Sequence, residues 1–139
     1  MADLSPLVRL PGPLVVLRGR RDEPTDVRAR RLGGRSLLRA AAGRLWSVPA
    51  ADLSVTARCT RCGGDHGRPE VSDPRTGRRA IGSVSHAGSV SVVAVGATAV
   101  GIDAEPLTSG ADRIEAVREV TGRPVADGLE ALRTWTTVE

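Results

Sequence analysis

The spacing of apolar residues in this chain changes from a helical to a strand-like repeat, and that change constrains the fold more than any other feature. A segment that Thr25 or Asp26 can cap carries apolar residues three or four positions apart up to Trp46, namely Leu37, Leu38, Ala41, Ala42 and Leu45. Gly33 and Gly34 weaken the middle of this segment. The pattern therefore predicts one long helix or two shorter ones.

Strand-like spacing begins at Ser83. Valine occupies four of residues 90–95, and after a break at Gly96 apolar residues alternate with others through residues 100–104, which predicts a hairpin. Residues 14–17 predict a short buried strand, residues 58–82 a loop rich in glycine and proline, and residues 113–120 and 129 onward two further helices. The whole predicts an α+β fold in which an antiparallel sheet packs against a helix.

Composition limits the core and the class of protein. Trp46 and Trp135 are the only aromatic residues among 139, so aliphatic side chains must fill the core. No apolar run approaches the length of a membrane span, and residues 1–9 lack the pattern of a signal peptide, which predicts a cytoplasmic protein. The only two cysteines, Cys59 and Cys62, suit a reducing compartment.

Charge divides the chain into two parts. Residues 1–98 hold 16 arginines against 8 acidic residues, whereas residues 99–139 hold 4 arginines against 8. All 20 basic residues are arginine, so any contact with phosphate falls to arginine rather than lysine. The first part favours anions and the second a cation, although two solvated surfaces of opposite charge would give the same counts.

Two carboxylates in the acidic part have the spacing of a metal site. Asp103 and Glu105 lie two apart in a predicted strand, so both would project from one face. Hard divalent cations prefer such oxygen ligands, and Mg2+ commonly completes its shell with water and substrate phosphates. A solvated strand face is the alternative.

Four short segments occur in a fixed order along the chain. They are HGRP at residues 66–69, SVSHAG at 83–88, VGIDAE at 100–105 and WTTVE at 135–139. In this order and at these separations they resemble the motifs of 4'-phosphopantetheinyl transferases of the surfactin-synthetase-activating type. That family has a Gly-(Lys/Arg)-Pro element, then Ser-His, then Gly-(Ile/Val)-Asp-x-Glu, then Trp-x-x-Lys-Glu. The arginine-rich segment RSLLR at residues 35–39 also resembles the family's early helix, so the resemblance covers most of residues 14–139.

The resemblance implies a function and a set of site residues. The function is Mg2+-dependent transfer of 4'-phosphopantetheine from coenzyme A to a serine of an apo acyl or peptidyl carrier protein. The metal ligands would be Asp103, Glu105 and Glu139, the coenzyme A ligands would be Arg31, Arg35, Arg68, Ser85 and His86, and the catalytic residues would be Glu139, Asp103 and His86. Charge neutralisation and positioning dominate phosphoryl transfer, and Glu139 or a metal-bound water would accept the serine proton.

The same resemblance implies two lobes. Residues 1–98 would form the basic, coenzyme A-binding first lobe, and residues 99–139 would begin the second lobe with its metal-binding strand and helix. Members of the family continue past the Trp-x-x-Lys-Glu helix, so most of the second lobe would be missing or supplied by a partner chain. We expect these residues alone to transfer slowly at best. Val138 also replaces the family's lysine, which removes any contact made by that lysine.

Two other features allow different functions. Cys59, Cys62 and His66 have the spacing of zinc ligands, but a closed structural site needs four, so two reduced thiols in a loop is the preferred interpretation. Arginines recur three or four apart at 28, 31, 35 and 39, and one helix would present them on a single face able to bind nucleic-acid phosphates. The scarcity of aromatic residues argues against nucleic acid. A degenerate half-enzyme with a binding or regulatory role is a further alternative.

Overall fold

A computed structural model describes residues 14–20, 26–106 and 110–131, and it shows a mixed α+β architecture. The elements in chain order are β1 (Leu14–Arg20), α1 (Val27–Trp46), a short 3-10 turn (Ala50–Asp52), β2 (Ser54–Thr56), β3 (Glu70–Ser72), β4 (Arg79–Ala87), β5 (Val90–Gly96) and α2 (Gly110–Thr121). The five strands form one sheet in the order β1-β5-β4-β3-β2, and every pairing is antiparallel. The predicted fold class is confirmed at this level.

Helix α1 is continuous through its two glycines. Asp26 caps its first turn, because its carboxylate accepts a hydrogen bond of 2.8 Å from the backbone N–H of Ala29. The helix ends at Ser47, which takes the left-handed conformation with φ of 56°. The ambiguity between one helix and two is thereby resolved in favour of one, and its arginines share a single element.

The core lies between α1 and one face of the sheet. Its fully buried side chains include Leu17 of β1, Leu38 of α1, Val71 of β3 and the β5 valines Val93 and Val95. Each such side chain removed from water contributes about 1.5–3 kcal/mol. The aromatic Trp46 packs against this cluster only partly buried, so the prediction of an aliphatic core is confirmed.

The predicted hairpin was wrong, and so was part of the predicted loop. The hairpin joins β4 to β5, with Ala87 opposite Val90 and a turn that contains Gly88 at φ of 56°. Residues 97–106 form no strand. Strand β3 and the start of β4 lie within residues 58–82, where glycine and proline obscured their short apolar signal.

A second, smaller apolar cluster follows the sheet in sequence. Val117 of α2 packs with Val125 and Ala131, and Ile114 adds a half-buried side chain. Helix α2 confirms the prediction for residues 113–120, and residues 128–131 are helical as predicted.

The predicted site residue Glu139 and the anchor Trp135 lie outside the described residues. Within the described parts of the chain, no helix has the length and apolarity needed to cross a bilayer.

Candidate functional site

A pocket of about 200 Å³ opens between α1, β4 and the loop that follows β2. Its basic lining comes from the helix as Arg30, Arg31 and Arg35, and β4 contributes His86. The loop contributes residues 65–67, which include one acidic side chain, Asp65. Three guanidinium groups against one carboxylate give the pocket lining a net positive charge, which favours an anion over a cation.

Gly34 brings the helix and the strand together at the base of the pocket. A side chain at this position would begin 3.2 Å from Cγ1 of Val84 and 4.0 Å from Cε1 of His86. Because glycine has no Cβ, α1 can lie against β4 at this point and its arginines reach the strand. Gly33, one residue earlier, has nothing within 4 Å of the equivalent position.

Ser91 fixes the ring of His86. Its hydroxyl oxygen lies 2.7 Å from Nδ1 of His86, and the two residues are cross-strand partners in the β4–β5 hairpin. Ser91 is only 2% exposed, so this contact is shielded from water. The imidazole is therefore held in a defined orientation at the pocket wall.

Arg35 lines the pocket and also pairs with an acidic residue of the loop. Its guanidinium forms a hydrogen-bonded ion pair with the carboxylate of Asp65, and the Arg35 side chain is 29% exposed whereas that of Asp65 is 65% exposed. The pair joins the middle of α1 to the loop. An incoming anion would compete with Asp65 for one guanidinium while finding Arg30 and Arg31 nearby.

The segment 102–104 is hydrogen-bonded to serine side chains on the opposite face of β4. Consecutive strand residues face opposite sides of a sheet, so Ser85 projects away from the side of His86 and α1. The Ser85 hydroxyl donates to Oδ1 of Asp103 at 3.0 Å and accepts from the backbone N–H of Ala104 at 3.0 Å. Ser83 accepts in the same way from the N–H of Ile102 at 3.1 Å. The N–H groups of Ile102 and Ala104 thus donate to serine hydroxyls rather than to backbone carbonyls of β4. For this reason the segment does not pair with β4 as a strand.

The two acidic residues of this segment have different surroundings. Oδ2 of Asp103 is buried and has no hydrogen-bond partner among the described residues. Glu105 forms an ion pair of 2.9 Å with Arg113 of α2, and its side chain is 16% exposed. The carboxylate of Asp103 thus presents a buried acceptor, while that of Glu105 is already neutralised.

The structure gathers some of the predicted site residues and separates others. Arg31, Arg35 and His86 line one pocket, and their role as coenzyme A ligands stays a prediction. Arg68 and Ser85 are not part of its lining. Asp103 and Glu105 lie in a segment that is not a strand, so the argument that the pleat aligns them was wrong, although the metal site itself stays a prediction.

Some residues of the site were not singled out from the sequence. Arg30 and Asp65 carry no motif of their own, and only the folding of the loop against α1 brings them to the pocket. Ser91 lies in a run of valines that indicated nothing but a buried strand. The hairpin sequence SVSHAGSVS at residues 83–91 could have placed Ser91 opposite His86, had its turn been assigned to Gly88 and Ser89.

The loop also assembles a cluster of possible metal ligands. One ligand atom each from Cys59, Cys62 and His66 lie within 4.8 Å of one another. Both cysteines are free thiols. The backbone N–H groups of Cys62 and Arg61 point at the Cys59 sulfur and hold the pKa of that thiol below its usual range.

No protein-family model, curated protein or solved structure matches this chain.

Proposed function

We propose that this chain acts as a Mg2+-dependent 4'-phosphopantetheinyl transferase that uses coenzyme A and an apo acyl or peptidyl carrier protein. The observation that carries the proposal is the pocket that contains Arg31, Arg35 and His86 together. Arg31 and Arg35 lie on the arginine-rich helix of the family resemblance, and His86 lies in its Ser-His segment, about 50 residues further along the chain. Their convergence on one anion site agrees with a substrate that bears a 3'-phosphate and a pyrophosphate.

The volume of the pocket limits what it can hold. Sites that enclose a whole drug-sized ligand usually measure about 300–1,000 Å³. At about 200 Å³ this pocket accommodates a phosphate and part of a nucleoside, and the rest of coenzyme A would lie outside it. The arginines suit this role because a guanidinium donates in a planar fork that matches phosphate oxygens.

The open edge of β4 offers a path from the pocket to Asp103. Within β4, strand β3 pairs with Arg79–Ile81 alone, so in the described part of the chain no strand covers the same edge of β4 from Ser83 to Ala87. His86 lies on one side of this edge and the Ser85–Asp103 pair on the other. A phosphate chain that passes around the edge would contact both sides.

The residues present fit a Mg2+ ion in part. The buried, unpartnered Oδ2 of Asp103 is the kind of hard oxygen ligand that Mg2+ prefers. Glu105 would have to leave Arg113 to become a second ligand, and the roles of Glu139 stay predictions because it lies outside the described residues. When bound, Mg2+ supplies charge neutralisation to the pyrophosphate. Ser85 positions the Asp103 carboxylate, and the arginines hold the departing nucleotide.

The arginine face of α1 supports nucleic-acid binding as the second candidate. Because α1 is continuous, Arg28, Arg31, Arg35 and Arg39 fall on adjacent turns of one helix. Arg35 is engaged with Asp65, which reduces the cationic character of that face.

Calorimetric titrations with coenzyme A and with a random DNA duplex, at equal salt concentration, distinguish the two functions. We expect coenzyme A to bind more tightly, and 3'-dephospho-coenzyme A to bind more weakly than coenzyme A. Tighter binding of the duplex, with the steep salt dependence of phosphate-backbone contacts, would instead identify a nucleic-acid-binding module.

A further inference from the structure

The backbone of the loop formed by residues 57–67 brings the sulfur atoms of Cys59 and Cys62 close together. Its backbone closes through hydrogen bonds of 2.8 Å from the N–H of Cys59 to the carbonyl of Gly64 and from the N–H of Gly63 to the carbonyl of Cys59. Gly63 takes φ of 72°, a conformation that suits glycine. Gly67 permits the close approach of Arg58, whose carbonyl oxygen would collide with a Cβ at that position.

The third member of the cluster, His66, lies beside the second thiol. Nε2 of His66 is 3.0 Å from Sγ of Cys62, and all three ligand atoms lie within 4.8 Å of one another. Tetrahedral coordination with the usual Zn–S and Zn–N bond lengths requires separations of about 3.8 Å between two sulfurs and about 3.6 Å between sulfur and nitrogen. The Sγ–Nε2 separation of Cys62 and His66 is about 0.6 Å shorter than this value, and none of the three separations exceeds 4.8 Å.

Backbone N–H groups of the loop donate hydrogen bonds to both sulfurs. The N–H of Gly64 lies 3.4 Å from Sγ of Cys62. The N–H groups of Cys62 and Arg61 point at Sγ of Cys59. The loop backbone therefore holds both sulfurs in place beside His66.

We propose that Cys59, Cys62 and His66 bind one Zn2+ ion, with a water molecule at the fourth position. Two thiolates and an imidazole are ligands that select zinc over hard cations such as Mg2+. The sequence-based preference for two reduced thiols rested on the lack of a fourth ligand. A site with three protein ligands and water removes that objection, because zinc sites with an open position have this composition.

The ion would stiffen one wall of the anion pocket. His66 and its neighbour Asp65 both line that pocket, and Asp65 is the partner of Arg35. A metal that holds His66 would therefore also hold the neighbouring Asp65, whose carboxylate competes with an incoming anion for Arg35. This zinc site is separate from the proposed Mg2+ site, and its existence does not depend on transferase activity.

The principal test is the metal content of the purified chain, produced without an affinity tag that binds metal. We expect about one zinc ion per chain by elemental analysis, which a mercurial reagent releases as it titrates the two thiols. Cys59→Ser, Cys62→Ser and His66→Ala should each lose most of the zinc. Asp65→Ala is the matched control, because it alters the same loop and pocket but should keep the metal.

A second measurement covers the case in which those variants fail to fold. The unmodified chain, stripped of metal and loaded with Co2+, should show the visible absorption of tetrahedral cobalt together with thiolate-to-cobalt charge transfer, and Zn2+ should displace it stoichiometrically. A reduced, folded chain that contains no zinc and gives only an octahedral Co2+ spectrum would overturn the proposal. A disulfide between Cys59 and Cys62 that persists in the presence of added Zn2+ would also overturn it.

Discussion

The Ser85 hydroxyl lies 3.0 Å from Oδ1 of Asp103 and donates a hydrogen bond to it, so a residue of β4 holds an acidic side chain from a segment 18 positions further along the chain. The same hydroxyl accepts from the N–H of Ala104. The next residue, His86, lines the arginine pocket on the other side of the sheet. Strand β4 therefore connects the two parts of the proposed site.

Ser85→Ala should destabilise the protein more than Ser83→Ala. Loss of the Ser85 hydroxyl leaves both the Asp103 oxygen and the Ala104 N–H without this partner, at a cost of about 1–3 kcal/mol. Loss of the Ser83 hydroxyl affects only the N–H of Ile102 and should cost about 0.5–1.5 kcal/mol. Denaturant unfolding of the two variants measures the difference. Equal stabilities would show that segment 102–104 is not anchored in this way.

The adjacent glycines of α1 should respond to alanine in opposite ways. Gly33→Ala should stabilise the protein by about 0.5–1 kcal/mol, because alanine favours the helix and its methyl group meets nothing within 4 Å. Gly34→Ala should gain little or lose stability, because its methyl group would press on Val84. Thermal unfolding of the pair provides the measurement. A stabilised Gly34→Ala would contradict the close contact between α1 and β4.

Asp73 should make the stability of the protein depend on acid pH. The backbone N–H of Arg75 and the hydroxyl of Thr76 donate to this buried carboxylate and hold its pKa below the usual range. A group whose pKa is lowered on folding contributes stability above its unfolded pKa and loses that contribution as the pH falls through its folded pKa. Asp73→Asn should therefore melt at a lower temperature than the parent at pH 7.

The difference between Asp73→Asn and the parent should shrink as the pH falls below about 4. Asp52→Asn serves as the control, because Asp52 is a more exposed partner of the same Arg75. It should change the melting temperature little. A gap between Asp73→Asn and the parent that stays constant down to low pH would show that the charge of Asp73 is not responsible.

The sequence predicted the elements that depend on local pattern but not those that depend on long-range pairing. The apolar repeat and the Asp26 cap predicted α1, and β1 and α2 were likewise recognised from their residues. The hairpin was misplaced because β5 is buried on both faces. Its valine run therefore shows no alternation of apolar and polar residues, and the pattern could not indicate which strand pairs with it. The segment at Ile102 alternates like a strand, yet the serine side chains of β4 take the place of a ladder.

The family resemblance named some of the residues that line the candidate pocket, although their roles stay predictions. Arg31, Arg35 and His86 were named from the sequence and lie in one pocket. Asp65 was missed because its role arises from contact with Arg35, 30 residues away. The sequence showed that Cys59, Cys62 and His66 have the spacing of zinc ligands. Only the folded loop shows that their ligand atoms lie within 4.8 Å of one another.

Arg35→Ala and His86→Ala should each weaken the binding of coenzyme A by about 1–3 kcal/mol, the range for losing a charge-assisted hydrogen bond. Arg79→Ala is the matched control, because this arginine is highly exposed and pairs with Glu70 away from the pocket. It should leave the affinity nearly unchanged. Calorimetric titration of the three variants, after circular dichroism has verified their folding, makes the comparison. Equal affinities of all three would remove the pocket from the coenzyme site.

The most direct test of the central claim is the mass of an apo-carrier protein after long incubation with coenzyme A, Mg2+ and this chain at a concentration equal to that of the carrier, so that slow transfer is visible. We predict the addition of one phosphopantetheine to the carrier serine with Mg2+, none after chelation of the metal, and none with Asp103→Ala. An unmodified carrier in every condition would contradict transfer by these residues alone. Modification that persists with the chelator or with Asp103→Ala would contradict the role of Mg2+ at Asp103.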